Sequence, residues 1–260
     1  MEIKRLYSVL ISFILVSVIL ILYSCKPVET KVCNYSVLVI VSHPDDETLI
    51  SGTLAKLNAQ GCDITIVFVT SGDDGPDRTG KGLYGAALAK VREAEAEKSL
   101  KQIGILNQPL FLRIPDGHIS ERKEELSDQL FNVFQDYNPE VVISFGPDGV
   151  TNSMDHITTG SVADHVFDTS NTGKLLLHMA ISQKANEIYP IPAPVANHLI
   201  DLKVRVSEYK RVRIRSNKAH LTQFGFGNRL FWRLFVNRYP FEEFTIFRDH
   251  DSELILRNCF

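Results

Sequence analysis

The chain has 260 residues, 44% of them hydrophobic and 23% charged, a composition that excludes a disordered or fibrous polymer and fits one globular domain with a sizeable core. The formal net charge of -3 gives no support to nucleic acid as a partner. Four cysteines, Cys25, Cys33, Cys62 and Cys259, lack the close spacing of a thiolate metal site, so cysteine chemistry is set aside as the function.

Along the chain, Lys4 and Arg5 precede an almost unbroken apolar run from Leu6 to Tyr23 that ends at Ser24-Cys25. A basic start followed by such a run reads as an export signal or an N-terminal membrane anchor. Leu22-Tyr23-Ser24-Cys25 resembles the lipobox of bacterial lipoproteins, although Tyr23 is unusual there, and an uncleaved anchor helix stays open beside it. Either reading attaches the chain to a membrane by its N-terminus, with the bulk on the exported, periplasmic or extracellular side. Residues 1–25 are therefore assigned to the leader or anchor, 26–35 to a polar tether, and 36–260 to the domain. A disulfide between two of the other three cysteines suits an exported protein, but sequence does not choose the pair.

Beyond the tether, short apolar runs alternate with amphipathic stretches, the pattern of βαβ units on a parallel sheet. Ser36 to Val41 predicts a buried strand, Glu47 to Gln60 a helix stopped by Gly61, and Ile64 to Thr70 a second strand. A Gly/Asp-rich loop, Ser71 to Gly82, is polar enough to border a site. Ala86 to Ile103 predicts a long helix, Leu110 to Arg113 a short strand, Ser120 to Asp136 a helix and Glu140 to Ser144 another strand. The expected fold is α/β, Rossmann-like and doubly wound, with a mostly parallel sheet and helices on both faces. Past residue 185 the pattern weakens: Tyr189-Pro-Ile-Pro-Ala-Pro is a loop, Asp201 to Lys218 mixes strand and helix signals, and the aromatic tail from Phe224 covers the core or walls the site. The seven basic residues of Lys203 to Lys218 read as a solvated face.

Two strand ends carry the chemistry. Ser42-His43-Pro44-Asp45-Asp46-Glu47 sits at the carboxyl end of the first strand, the edge where open α/β sheets bind ligands. Taken alone it is equally a good helix start, because proline and acids favour the first turn. The second segment, Gly146 to His156, follows the Glu140 strand and brings Asp155 and His156 to the same edge. Two imidazoles and a carboxylate arriving from two loops make a nitrogen and oxygen ligand set suited to zinc, with a position left for water.

At this point the chain resembles the PIG-L/LmbE family of de-N-acetylases, whose opening motif appears as SHPDDE at 42–47. Further landmarks are Gly52-Thr53-Leu54-Ala55 through Gly61, Val67 to Gly72, Arg92 with Glu95 and Gly104, Pro115-Asp116-Gly117, Phe145 to Thr151, and His220-Leu-Thr-Gln223. The resemblance implies that His43, Asp46 and His156 bind Zn2+, with Fe2+ as a competing metal, and that Asp45 is the general base on the attacking water. It places Arg92, Asp116 and His220 near the sugar; for Arg92 an ordinary exposed helix residue is an equal alternative. One departure matters: Ser153 stands where the family usually has a histidine, oriented by the acid here numbered Asp155, that stabilises the oxyanion or protonates the leaving amine. Serine cannot carry positive charge, and losing such a donor costs on the order of a hundredfold in rate. His118 and His220 are candidate substitutes. His165, His178, His198 and His250 have no partner motif and read as surface or core residues. The expected function is removal of acetyl from an N-acetylated sugar or a related small-molecule or glycolipid substrate at the cell envelope. The alternative is a metal- or sugar-binding envelope protein of the same fold with weakened catalysis, and a third reading keeps the enzyme but changes the bond.

Overall fold

The first strand is apolar at every interior position because both of its faces are covered: Val37, Val39 and Val41 enter one hydrophobic layer, Leu38 and Ile40 the other. The computed structural model describes residues 33–188, 200–250 and 252–260. The N-terminal apolar run, the lipobox-like segment and the Tyr189 loop lie outside them. The described strands are β1 (Ser36–Val41), β2 (Asp63–Phe68), β3 (Leu110–Phe111), β4 (Val141–Phe145), β5 (Leu175–Ala180), β6 (Leu202–Arg205) and β7 (Phe241–Asp249). They form one sheet in the order β3-β2-β1-β4-β5-β7-β6. The first five strands run parallel; β7 is antiparallel to both β5 and β6.

Eight helices of the described residues accompany the sheet: α1 (Ser51–Ala59), α2 (Gly85–Ile103), α3 (Lys123–Tyr137), α4 (Met154–Ser170), α5 (Gln183–Ile188), α6 (Lys210–Ala219), α7 (Phe226–Arg238) and α8 (Glu253–Cys259). Leu54 and Leu57 of α1, Leu100 of α2 and Ile255 of α8 cover one face. Leu126 and Leu130 of α3 with Val162 and Phe167 of α4 cover the other. None of these helices is long and apolar enough to cross a membrane. The fold is thus the α/β, Rossmann-like arrangement expected from the alternation of runs.

Strand β1 leads to β2 on one side and its neighbour β4 leads to β5 on the other. The order of the strands reverses between these two parallel neighbours, which opens a crevice at their carboxyl ends. That crevice is where the SHPDDE turn and the Gly146–His156 segment meet.

Several expectations are refined. The helix anticipated from Glu47 begins as a 3-10 turn, Asp46–Ile50, before α1 takes over at Ser51. Asp155 and His156 belong to the first turn of α4 rather than to a loop. Past residue 200 the described chain adds β6 at the sheet edge, β7 antiparallel beside it, and the helices α6, α7 and α8, which residue patterning did not separate. The tether ends earlier than residue 35: buried Cys33 already hydrogen-bonds the domain, its N–H donating to the Gln60 carbonyl at 2.8 Å. Cys33 also meets both Cys62 and Cys259, at Cα separations of 5.2 and 5.4 Å, each within disulfide reach. One sulfur makes one disulfide, so Cys33 is the shared half and the third cysteine stays a buried thiol.

Candidate metal and catalytic site

The turn after β1 is held in a strained conformation. Asp45 has φ 133°, outside the regions open to most non-glycine residues. Its surroundings enforce it: the Asp45 N–H donates to Glu47 Oε2 at 3.0 Å, and its carbonyl accepts from Thr48 N at 2.9 Å. Asp46 Oδ2 accepts from the backbone N–H of His43 at 2.7 Å, which closes the turn with one ligand candidate bonded to another. On the other side, Gly149 (φ +61°) lies so close to the start of α4 that a Cβ there would be 2.6 Å from that of His156. The His156 ring stacks on Phe145 of β4 at 4.2 Å and 8°.

These two turns bring His43, Asp46 and His156 together. His43 Nδ1 and His156 Nε2 are 3.1 Å apart, and Asp46 lies 3.6 Å from the first and 3.3 Å from the second. The remaining ring nitrogens are committed elsewhere. His156 Nδ1 is 2.9 Å from the Gly149 carbonyl and 2.9 Å from the Thr151 hydroxyl. His43 Nε2 is 3.0 Å from Asp116 Oδ1 and 3.3 Å from Asp155 Oδ2. N–H donation to the Gly149 carbonyl on one ring and to the two carboxylates on the other leaves one lone pair per ring aimed at the common centre. That is how metal-ligating histidines are set by their outer partners. Nitrogens bound at about 2.0–2.1 Å to one divalent ion stand roughly 3 Å apart, so the residues present fit such a group.

Electrostatics agree. Burial alone would lower the His43 pKa, but Asp116, Asp155 and Asp46 outweigh it and hold the imidazole well above its usual value. His156 is likewise raised, burial being outweighed mainly by Asp46. Asp46, despite burial, is held well below the carboxylate range by His156 and His43. Asp116 and Asp155 are lowered against burial, first by His43. Asp45 goes the other way: burial, followed by the charge of Asp46, pushes it up to about 7. Two adjacent carboxyls driven apart in this manner divide into a permanent anion and a group able to take and return a proton near neutrality.

Behind the turn, Glu47 is wholly buried and accepts from Ser99 Oγ at 2.5 Å and His220 Nε2 at 2.7 Å. Gln223 bridges this layer to the cleft: its amide hydrogen-bonds the Pro44 carbonyl and approaches His220 Nδ1 at 3.3 Å. His220 has 0% exposure, so it is not placed to hold a sugar hydroxyl; it supports Glu47 and, through it, the Asp45 amide. His118 does not line the cleft either; it is exposed and turned to Glu121 at 3.2 Å. Ser153 precedes α4, makes no capping hydrogen bond with its side chain, and is not among the residues lining the cleft. Of the other histidines, His178 pairs with Asp164 at 2.7 Å and His250 stacks on Phe167, both away from the cleft; His198 is outside the described residues.

Arg92 is no ordinary exposed helix residue. It is 4% exposed and its guanidinium donates to the carbonyls of Gly72 at 2.7 Å and Pro76 at 3.2 Å, bracing the Gly/Asp-rich loop, with Asp116 4.0 Å away. Gly72 (φ +68°) is required there: a Cβ would come within 2.6 Å of the guanidinium. Both Arg92 and Asp116 border the cleft, but Asp116 spends one oxygen on His43. Sequence reading overlooked Thr151, the buried function of Glu47, and Gln223 as a cleft residue. All three stood inside the quoted motifs, Thr151 as the last residue of the Phe145 to Thr151 landmark, but nothing in the residue types assigned them these contacts.

Comparison with known proteins agrees with this geometry. The model of the GlcNAc-PI de-N-acetylase family, PIG-L, matches residues 38–167, half of the chain, from within β1 to the last turn of α4. A 1D-myo-inositol 2-acetamido-2-deoxy-alpha-D-glucopyranoside deacetylase of Saccharomonospora viridis is 26% identical, over 73% of this chain and 85% of the relative. A deacetylase of the same description from Actinosynnema mirum is 24% identical, over 72% and 80%. Among solved structures, the N,N'-diacetylchitobiose deacetylase of Pyrococcus horikoshii shares the fold with a TM-score of 0.66 at 21% identity, over 82% of this chain and 83% of that one. A 4-carboxy-2-hydroxymuconate hydratase of Pseudomonas putida also reaches 0.66, at 14% identity over 84% and 98%, so this fold serves more than one reaction. The matched span contains both strand-end turns, and the chain belongs to the GlcNAc-PI de-N-acetylase family of N-deacetylating hydrolases.

Proposed function

We propose that this chain hydrolyses the acetamide of an N-acetylated amino sugar, or of a related small molecule or glycolipid, on the exported side of a membrane to which residues 1–25 attach it. Zinc is the proposed metal, held by His43, Asp46 and His156, with Fe2+ as its competitor. The observation that carries the reading is the convergence of two ring nitrogens and a carboxylate beside an uncommitted acid, Asp45, whose pKa sits at about 7. A cation in this place supplies Lewis acidity, polarising the acetamide carbonyl and acidifying water next to it.

The protein's own groups do the rest. Asp45 accepts the proton of the water as its oxygen bonds to the carbonyl carbon. The same carboxyl then gives that proton to the nitrogen as the C–N bond breaks, leaving acetate and a free amine. Asp116 and Asp155 keep His43 in the orientation that turns Nδ1 inward, while Gly149 and Thr151 hold Nδ1 of His156 and so turn its Nε2 inward. Arg92 holds the loop over the cleft and presents a buried charge at its rim.

A second reading is favoured by one residue: Ser153 offers no imidazole, and neither His118 nor His220 replaces it, so the chain would bind metal and sugar with little or no turnover. Acetate release from a panel of N-acetylglucosamine conjugates, measured on the metal-replete full-length chain with its metal content determined, separates the two. Turnover of at least one conjugate supports the hydrolase. One bound metal with no turnover on any conjugate gives the binding protein, and no bound metal defeats both.

A further inference from the structure

Helix α7 buries Trp232, Phe235 and Val236 against α6 and the sheet edge, yet its outer side is not polar. Phe226, Leu230, Phe231 and Leu234 are 80, 46, 62 and 40% exposed. Their spacing places them along one stripe of the helix. From Tyr209 to Phe241 the sequence holds eight Lys or Arg residues and no Asp or Glu. Buried Arg213 is paired with Glu242 at 2.9 Å. Arg211, Arg215, Lys218, Arg233 and Arg238 are exposed and form no ion pair among the described residues. Arg211, Arg215 and Lys218 of α6 line one groove with Arg233 of α7, so the cations and the apolar stripe make a single surface. That surface adjoins the catalytic cleft: α7 is entered through Leu221, 45% exposed, and Gln223, which lines the cleft.

An exposed stripe of this kind marks a docking site. The rim of like charges opposes a second copy packing on it face to face, and favours a partner that is apolar and anionic at once. We propose that α7, with the basic residues of α6, docks on the surface of a bilayer containing anionic phospholipid, its Phe and Leu side chains entering the acyl boundary and its cations meeting the headgroups. The proposal deepens the envelope reading and rests on it, but it concerns a different part of the chain from residues 1–25 and is read out at α7 alone.

The test uses the full-length chain carrying Phe231→Trp, compared with the unsubstituted chain, whose single tryptophan, Trp232, is buried. Both are reconstituted with vesicles whose lipids carry brominated acyl chains, either phosphatidylcholine alone or with about one third phosphatidylglycerol. The added emission is expected to be quenched in the anionic vesicles, to be spared in the neutral ones, and to recover as salt is raised. Changing Arg233 and Arg238 to Glu, which touches no catalytic residue, should weaken the apparent lipid affinity of α7 about fivefold or more per cation lost. Circular dichroism melts guard against misfolding of these surface variants. Equal quenching in both lipids, absence of quenching in either, or protection by self-association or by added polynucleotide would each overturn the proposal. Alkali-resistant flotation of the chain without α7 quenching would sink the docking face while leaving the N-terminal attachment standing.

Discussion

Two clusters of buried charge lie near the start of α1, and they are built to opposite ends. Glu242 and Arg213 form a closed pair: the guanidinium lies 2.9 Å from Glu242 Oε1 and donates to the Tyr239 carbonyl at 3.1 Å. Glu242 also accepts from the N–H groups of Gly52 and Thr53 at 3.0 and 2.6 Å, the first donors of α1. Every strong partner there is found within the chain. At the strand ends, by contrast, two ring nitrogens and a carboxylate point at one another beside three further acids, Asp45, Asp116 and Asp155. Burial costs the charges of both clusters, but those of the first are paired within the chain, whereas the donor set of the second could hold a metal ion. The first is scaffold and the second is chemistry.

Breaking each cluster should therefore read out differently. The largest effect on function is expected from His156→Ala, with loss of bound metal and a fall of at least about a thousandfold in kcat/KM, while the fold persists by circular dichroism. Asp45→Asn should retain the metal and lose on the order of 10²–10⁴ in kcat, the usual contribution of a positioned base. Its pH profile sharpens the point. The base works deprotonated, so kcat/KM should fall on acidification through a limb at or below about 7, since a bound cation favours the carboxylate, and that limb should vanish in the variant.

Glu242→Ala should do the reverse, destabilising the chain by about 3–5 kcal/mol in denaturant titrations because Arg213 is left buried and unpaired, with metal content per folded molecule unchanged. Asp116→Asn is expected to be milder, about 10–100-fold in metal affinity by competition with a chelator, as for other groups that orient a metal-bound histidine. The smallest effect is expected for Gly52→Ala, about 1–3 kcal/mol, because a Cβ there would come 2.7 Å from that of Val206 and 3.0 Å from Glu242 Oε1. Unchanged stability in Glu242→Ala, or loss of metal there, would erase the distinction drawn between the two clusters.

The same contrast explains what was legible in the residues. The strand-end turns announced themselves because the chemistry needs particular side chains close together in the chain: His43, Asp45 and Asp46 span four positions, and Asp155 and His156 are adjacent. The parallel part of the sheet was legible because strands covered on both faces are apolar throughout, as in Val37 to Val41. The closed cluster was not. Arg213 lay within a basic run that reads as solvated, and Glu242 lies 29 residues further on; the antiparallel pairing of β7 with β5 and β6 brings that residue to the start of α1. His220 misled for the same reason: it follows α6, far from SHPDDE in sequence, and its place behind Glu47 rather than at the substrate depends on how α6 packs on α2. Asp116 was located at the cleft, but its bond to His43 could not be read without the geometry of the third strand's loop. Cys33 likewise revealed its two alternative partners only once Cys62 and Cys259 had been folded against it.

The most direct test is the metal stoichiometry of the full-length chain, stripped by chelator and reloaded, with and without His156→Ala. One divalent ion per chain in the parent and none in the variant is the expected result. Equal metal content in the two proteins would contradict the assignment of His43, Asp46 and His156 as a single centre.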